Sequence, residues 1–141
     1  MNENCIFCRI NKGEINSYTL YEDNLVRVFL DVNPVSKWHI LVIPKNHYED
    51  IFETPDDVLE RINIVCKKLA LICKDKLNAT GVNILNASGK DAQQSIFHLH
   101  YHIVPRFEND GMDLWFHQET KKSINIEEIY NKLKYYGNFK K

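Results

Sequence analysis

Phe97-His98-Leu99-His100-Tyr101-His102-Ile103-Val104-Pro105-Arg106 is the stretch on which the reading of this chain turns. Three of the six histidines fall within five residues, each separated from the next by one apolar or aromatic residue, which is the period-two pattern of a half-buried β-strand. A strand over 97–104 would carry the imidazoles on one face and press Phe97, Leu99, Tyr101 and Ile103 onto a core with the other. The histidines then look toward a cleft or a metal. Alternate strand positions lie roughly 6.5 to 7 Å apart, too far for neighbouring rings to hydrogen-bond and suited to two of them gripping one phosphate-sized group. A lone strand histidine is ordinarily a satisfied or solvent-facing residue, and a His-rich tract can be a fortuitous metal binder. Strict alternation in a hydrophobic strand argues against both, because partial desolvation lowers each ring's proton affinity and costs stability unless chemistry uses it.

The chain has 141 residues, the size of one domain with a sizeable core. Eighteen Lys and Arg against 19 Asp and Glu leave a formal charge of -1, so nucleic-acid binding through a basic face is not expected and the partners should be small molecules. Met1-Asn2-Glu3-Asn4 shows no basic region followed by an apolar run, and no segment reaches membrane-spanning length. A cytoplasmic location is therefore expected. In that compartment the four cysteines are reduced thiols, metal ligands or redox groups.

Upstream of the histidine stretch, Cys5-Ile6-Phe7-Cys8-Arg9-Ile10 reads as a Cys-x-x-Cys on a short helix ending at Lys12-Gly13. Residues 19–22 and 25–30 read as two strands around an Asp23-Asn24 turn, and His39-Ile40-Leu41-Val42-Ile43-Pro44 as a nearly continuous apolar strand, central in the sheet. Thr54 is expected to cap a long helix with Pro55 at its first position and Asp56 and Asp57 against the dipole. Val58, Ile62, Val65, Leu69, Ile72 and Cys73 form its apolar stripe to about Leu77, and Gly81 is the expected stop. Ile64 and Leu71 lie off that stripe and point to a second packing partner such as another subunit. Residues 82–86 form the fourth strand, 87–95 a polar loop, and Asn125-Ile126-Glu127-Glu128 a capping box opening a C-terminal helix to about Tyr136. Short links between strands, with one long helix between the third and fourth, give an α+β domain: a five-stranded, mainly antiparallel sheet with one long helix and a C-terminal helix.

His98-Leu99-His100-Tyr101-His102-Ile103-Val104 resembles the signature of the histidine triad superfamily. The likeness extends over Cys5 to Ile10, Phe29-Leu30-Asp31, Leu41 to His47, Asn86 and Gln94 to Phe97, blocks similar to the Hint-like branch and its bacterial relatives. Beyond about Arg106 only Asp113-Leu114-Trp115 matches, so the resemblance implies a single domain over 1–141 with 107–141 a divergent C-terminal extension. Gln93 stands where members usually carry glycine, and the loop from Asn86 to Ser95 is one residue longer than in some Hint proteins.

The resemblance implies hydrolysis or transfer of a nucleotide at its α-phosphate through a covalent nucleotidyl-histidine intermediate on His100. His98 would offer its carbonyl to the nucleophile's other nitrogen, His102 would hold a phosphate oxygen, and Ser95 would supply a hydroxyl near phosphate or leaving group. Asp31 would accept from the ribose hydroxyls, Asn86 and Gln94 would add polar contacts, and Ile6, Phe7, Ile10, Leu30 and Val32 would sandwich the base. Read without the resemblance, Asp31 is a turn residue and those apolar side chains are core. The implied substrates are purine nucleoside phosphoramidates or other AMP conjugates. Two other readings are a dinucleoside polyphosphate hydrolase and a nucleotide-binding partner protein with negligible turnover. A homodimer is implied as well.

Cys5 and Cys8 have chelate spacing, and relatives with this cysteine pair imply His47 and His98 as the other ligands of a structural zinc. The alternatives for the pair are small core residues or a redox couple. Cys66 and Cys73 read as buried thiols, His39 and His117 as structural or surface residues, and Trp115 as a border of the leaving-group pocket.

Overall fold

A computed structural model describes residues 2–114, 125–134 and 136. The expectations for Trp115 and His117 fall outside these. The chain divides into two compact units, Met1–Asp110 and Gly111–Lys141. Five strands make one sheet in the order β1-β2-β3-β5-β4, antiparallel at every pairing: β1 (Thr19–Glu22), β2 (Val26–Leu30), β3 (Ile40–Pro44), β4 (Gly81–Asn86) and β5 (Tyr101–Arg106). The short helix α1 (Ile6–Asn11) precedes β1 and the long helix α2 (Asp56–Leu77) joins β3 to β4. In the second unit, α3 spans Ile126–Leu133, ending one turn short of Tyr136, and its Asn125 side chain accepts from the Glu128 N–H as the capping box requires.

β3 lies at the centre, every residue of it buried. Its alternate side chains feed two cores, as a strand covered on both faces demands. Ile40 and Val42 join Val26, Val28, Leu99, Tyr101 and Ile103 beneath α2, whereas Leu41 and Ile43 join Phe29 and the Cys5, Phe7, Cys8 and Ile10 side chains of the α1 segment. Fully burying side chains such as Ile43 and Ile103 stabilises by roughly 1.5 to 3 kcal/mol apiece. Gly13, at φ +77, turns the chain out of α1.

Several details differ from the sequence reading. β5 starts at Tyr101, not at residue 97. The Leu99 N–H donates to Tyr48 O in a loop and the His100 carbonyl accepts from the Asn86 side chain, so the first two histidines precede the strand ladder. Phe97 is half exposed, while Leu99, Tyr101 and Ile103 do enter the α2 core. Pro55, not Thr54, occupies the N-cap of α2, and the Thr54 hydroxyl donates instead to Asp50 O at 2.6 Å. The α2 stripe runs through Cys66 and leaves Ile72 half exposed beside Ile64 and Leu71. α2 ends in the left-handed Asn78 (φ 56), three residues before Gly81, which is the first residue of β4.

Candidate functional site

The three histidines emerge on the α1 side of the sheet, opposite the core that takes Leu99, Tyr101 and Ile103. Phe7 meets the rings of His98 and His100 edge-on, with centroids 5.7 and 5.4 Å away. Two sites result, one built on the His98 side chain and one containing His100 and His102, linked through the His98 carbonyl.

At the first, His98 is fully buried. Its Nε2 lies 3.1 Å from the Pro44 carbonyl, which can only accept, so Nε2 carries the hydrogen and Nδ1 presents a lone pair. That lone pair faces Cys5 Sγ at 3.4 Å, Cys8 Sγ at 3.7 Å and His47 Nδ1 at 3.2 Å; Cys8 Sγ lies 3.4 Å from His47 Nδ1. A zinc ion with usual bond lengths has tetrahedral N···N and S···N edges of about 3.3 and 3.6 Å. The four ligand atoms, all within 4.8 Å of one another, fit that polyhedron. Burial holds the His98 imidazole down at about 4, so it is neutral as ligation needs. Pro44 O also accepts from Asn11 Nδ2 at 3.0 Å, bracing the outer partner of the ligand. Cys66 and Cys73 lie apart from this cluster as thiols on the buried face of α2, and burial raises Cys66 to about 11.

The second site is a cleft of about 210 Å³ on the same side of the sheet. Ile6, Phe7, Ile10, Leu30 and Val32 line it together with Asp31, Ser95, His100 and His102, as do Ile15, Phe29, Leu41 and Ile96 from outside the sequence reading. Asn86 and Gln94 do not line it. Asn86 is spent holding the His100 carbonyl, and Gln94 is 6% exposed, its amide bonded to Gly89 N, Glu49 O and Ile96 O. Both therefore shape the loop around the histidines. Gln93 beside them adopts φ +65, the left-handed conformation that favours glycine. A larger apolar cavity of about 500 Å³ between α2 and the β1–β2 edge contains neither a histidine nor a carboxylate.

Inside the cleft the nearest hydrogen-bond partners select a tautomer for each ring. The His98 carbonyl lies 2.8 Å from His100 Nδ1, which must donate to it, so His100 Nε2 is bare. His100 is 3% exposed, and burial lowers its proton affinity against the opposing pull of that hydrogen bond and of Asp31. His102 carries the opposite tautomer. The Val35 N–H donates to His39 Nδ1 at 3.2 Å, so His39 Nε2 bears hydrogen and gives it to His102 Nδ1 at 2.9 Å, which leaves His102 Nε2–H as a donor. Desolvation, with the nearby His100 and His39, holds His102 down at about 4.

His39 is thus not a peripheral residue, contrary to the sequence reading: it is 3% exposed and touches the triad. Its signal lay in the hairpin register. Leu30 pairs with Ile40, and one step outward the Asp31 N–H donates to His39 O, placing a carboxylate and an imidazole across from each other on the cleft side. Asp31 Oδ2 is 3.5 Å from His39 Nδ1, while Oδ1 accepts from Asn33 N at 2.8 Å. Trp38, just before His39, takes φ +69, uncommon for a bulky side chain, in the turn closed by His39 N–H to Ser36 O.

A model of the HIT domain family matches residues 12–109. An uncharacterized HIT-like protein of Borreliella burgdorferi is 43% identical over 128 residues, covering 89% of this chain and 90% of its own. An adenosine 5'-monophosphoramidase of Candida albicans is 37% identical over 135 residues, covering 92% of this chain and 89% of its own. Among solved structures, a zinc-bound histidine triad family protein from Mycobacterium smegmatis superposes with a TM-score of 0.74 at 34% identity over 82% of this chain and 84% of that one.

Proposed function

This chain belongs to the HIT family, and from that premise we propose that it hydrolyses purine nucleoside phosphoramidates or related AMP conjugates at the α-phosphorus. The observation that carries the proposal is the pair of opposed tautomers: a bare nitrogen on His100 beside a donor N–H on His102, ring centroids 5.0 Å apart. One can attack phosphorus while the other holds a non-bridging oxygen.

In the first half-reaction the His100 Nε2 lone pair forms a bond to the α-phosphorus as the phosphorus–nitrogen bond of the substrate breaks. The leaving amine takes a proton delivered through the Ser95 hydroxyl. Charge building on the phosphoryl oxygens is met by His102 Nε2–H, and positive charge on His100 is eased by Nδ1–H pointing into the His98 carbonyl. In the second half water attacks in line, the phosphorus–His100 bond breaks, and the monophosphate leaves with His100 restored. Asp31 accepts from the ribose hydroxyls, and Ile6, Phe7, Ile10, Leu30 and Val32 hold the base.

Cys5, Cys8, His47 and His98 would hold a zinc ion, and with four protein ligands it would supply structure rather than chemistry, tying the α1 segment and the end of β3 to the residue whose carbonyl orients the nucleophile. We read the protein as a cytoplasmic homodimer: the buried free thiols suit a reducing compartment. The exposed Ile64, Leu71 and Ile72 on α2, with Ile84 and Leu85 on edge strand β4, suit a two-fold contact. No helix among the described residues is long and apolar enough to cross a membrane.

Incubation with an adenosine phosphoramidate and, separately, a diadenosine polyphosphate tests the reading. Release of AMP from the first with an acid-labile adenylyl adduct on His100 supports it. Preferential cleavage of the second moves the assignment to the polyphosphate reading, and AMP binding without turnover of either leaves a binding protein.

A further inference from the structure

Apart from the cysteine cluster, one other group of metal-capable side chains occurs among the described residues: Asp31, His39 and His102, each with one ligand atom within 4.8 Å of the others. We propose that this group is a second, exchangeable zinc site, and that an ion there and a nucleotide in the cleft exclude one another.

The donor set is two imidazoles and one carboxylate, a combination that binds zinc through three protein ligands and leaves a fourth position for water or a phosphate oxygen. It differs from the first cluster in having no thiolate and in opening onto the cleft, which Asp31 and His102 line. His39 Nε2 and His102 Nδ1 lie 2.9 Å apart across their hydrogen bond. An ion bound between them takes the place of the shared hydrogen, which shifts to His39 Nδ1 so that no net proton is lost, and the nitrogens separate to the tetrahedral edge of about 3.3 Å. The Val35 N–H, on an exposed residue, turns from His39 to solvent, and His102, only half buried where His39 is buried, makes the small adjustment. Asp31 Oδ2 now lies 3.5 Å from Nδ1 of His39, and a carboxylate oxygen within 4.8 Å of the imidazole ligand atoms makes Asp31 the third member of the group. The carboxylate supplies the negative charge, and burial disfavours the protonated form of both imidazoles.

The exclusion rests on the reading of the cleft given above, in which Asp31 takes the ribose and His102 the phosphate. A zinc ion on those two groups removes both contacts at once. By linkage, the nucleotide must weaken the ion by the same factor by which the ion weakens the nucleotide. Such an ion makes activity fall as free zinc rises, through a site separate from the one that holds the fold together.

The experiment takes the full chain carrying one zinc equivalent and titrates it with further zinc by calorimetry. Parallel titration with cobalt adds a spectrum that reports thiolate ligation. The expected result is a second equivalent, bound without net proton release and without a thiolate charge-transfer band. Its affinity falls at least about tenfold in His39→Gln and in Asp31→Asn, each of which keeps the first equivalent as proof of folding. AMP at ten times its own dissociation constant weakens the second equivalent about tenfold. Saturation at one metal per chain overturns the proposal, as does a second equivalent indifferent to both substitutions. A second equivalent lost in both variants but indifferent to AMP upholds the metal site and instead refutes the placement of the nucleotide on Asp31 and His102.

Discussion

The carbonyl of His98 accepts a hydrogen bond from Nδ1 of His100 at 2.8 Å, while the ring of His98 turns its own Nδ1 toward Cys5, Cys8 and His47. One residue therefore meets the proposed nucleophile with its backbone and the candidate metal cluster with its side chain. Removing the nucleophile separates the two roles. His100→Ala should retain the metal and the fold while turnover drops by about 10³-fold or more. Metal content, circular dichroism and a steady-state assay on an adenosine phosphoramidate check this, and undiminished activity would refute the assignment.

The relay from Val35 through His39 to His102 sets which nitrogen of His102 carries hydrogen. Replacing His39 by Ala leaves that tautomer free to invert, and the expected loss is on the order of 10² in kcat with a smaller change in KM. Nitrogen NMR on the wild type should show His102 protonated at Nε2 and His100 at Nδ1. The reverse pattern on either ring would contradict the mechanism.

Stripping the metal should act on stability first. The four candidate ligands come from the N-cap and first turn of α1, the segment after β3 and the residues before β5, so one ion there would cross-link all three. A strong chelator should therefore lower the unfolding midpoint, and Cys8→Ser should abolish tight metal binding and lose several kcal/mol, roughly what a structural zinc contributes in part. Elemental analysis of protein purified without chelator should return zinc in the wild type and none in the variant.

Asp23 gives a pH dependence remote from the site. Burial works to raise its carboxyl, but the N–H groups of Leu25 and Val26, the Arg61 guanidinium and the Tyr21 hydroxyl outweigh it and hold the group at about 2. A carboxyl depressed from 3.8 in the folded state adds stability that is complete above 3.8 and is lost as pH falls toward 2. The gain is about 2 kcal/mol at neutral pH. In urea unfolding, the gap between wild type and Asp23→Asn should close as pH drops from 5 to about 2. A gap constant over that range would sink the assignment.

At Gln93 the backbone itself sets the expectation. Its φ of +65 favours glycine, so Gln93→Gly should stabilise by about 0.5 to 1 kcal/mol and Gln93→Val should destabilise by a similar amount. Denaturant midpoints decide the sign.

Much of this arrangement could be read from residues alone. Period-two spacing found the strands and the apolar run 39–44 found the central one, while the Cys-x-x-Cys alone left metal, core and redox readings open; it was the resemblance that added His47 and His98, which the structure brings within 4.8 Å of the cysteines. What escaped was decided by backbone partners far away in sequence. His98 and His100 stand outside the ladder because Tyr48 and Asn86 take their neighbours' hydrogen bonds, and no local pattern encodes that. Thr54 looked like a cap because only its type was visible, while Asp50 O was the nearer acceptor. His39 was overlooked because its partner lies 63 positions away. Asn86 and Gln94 were expected as ligand contacts only because the resemblance implied it, whereas their amides are already engaged by the loop.

The central strand sends Ile40 and Val42 one way and Leu41 and Ile43 the other. Scaffold and reagents therefore occupy opposite sides of a single polypeptide ribbon. A protein engineer can redraw the helical side, with Val58, Ile62, Val65 and Leu69 as the palette, without displacing any imidazole. Changes there act through packing alone, whereas on the reverse one altered side chain such as Phe7 touches His98, His100 and the cleft wall together.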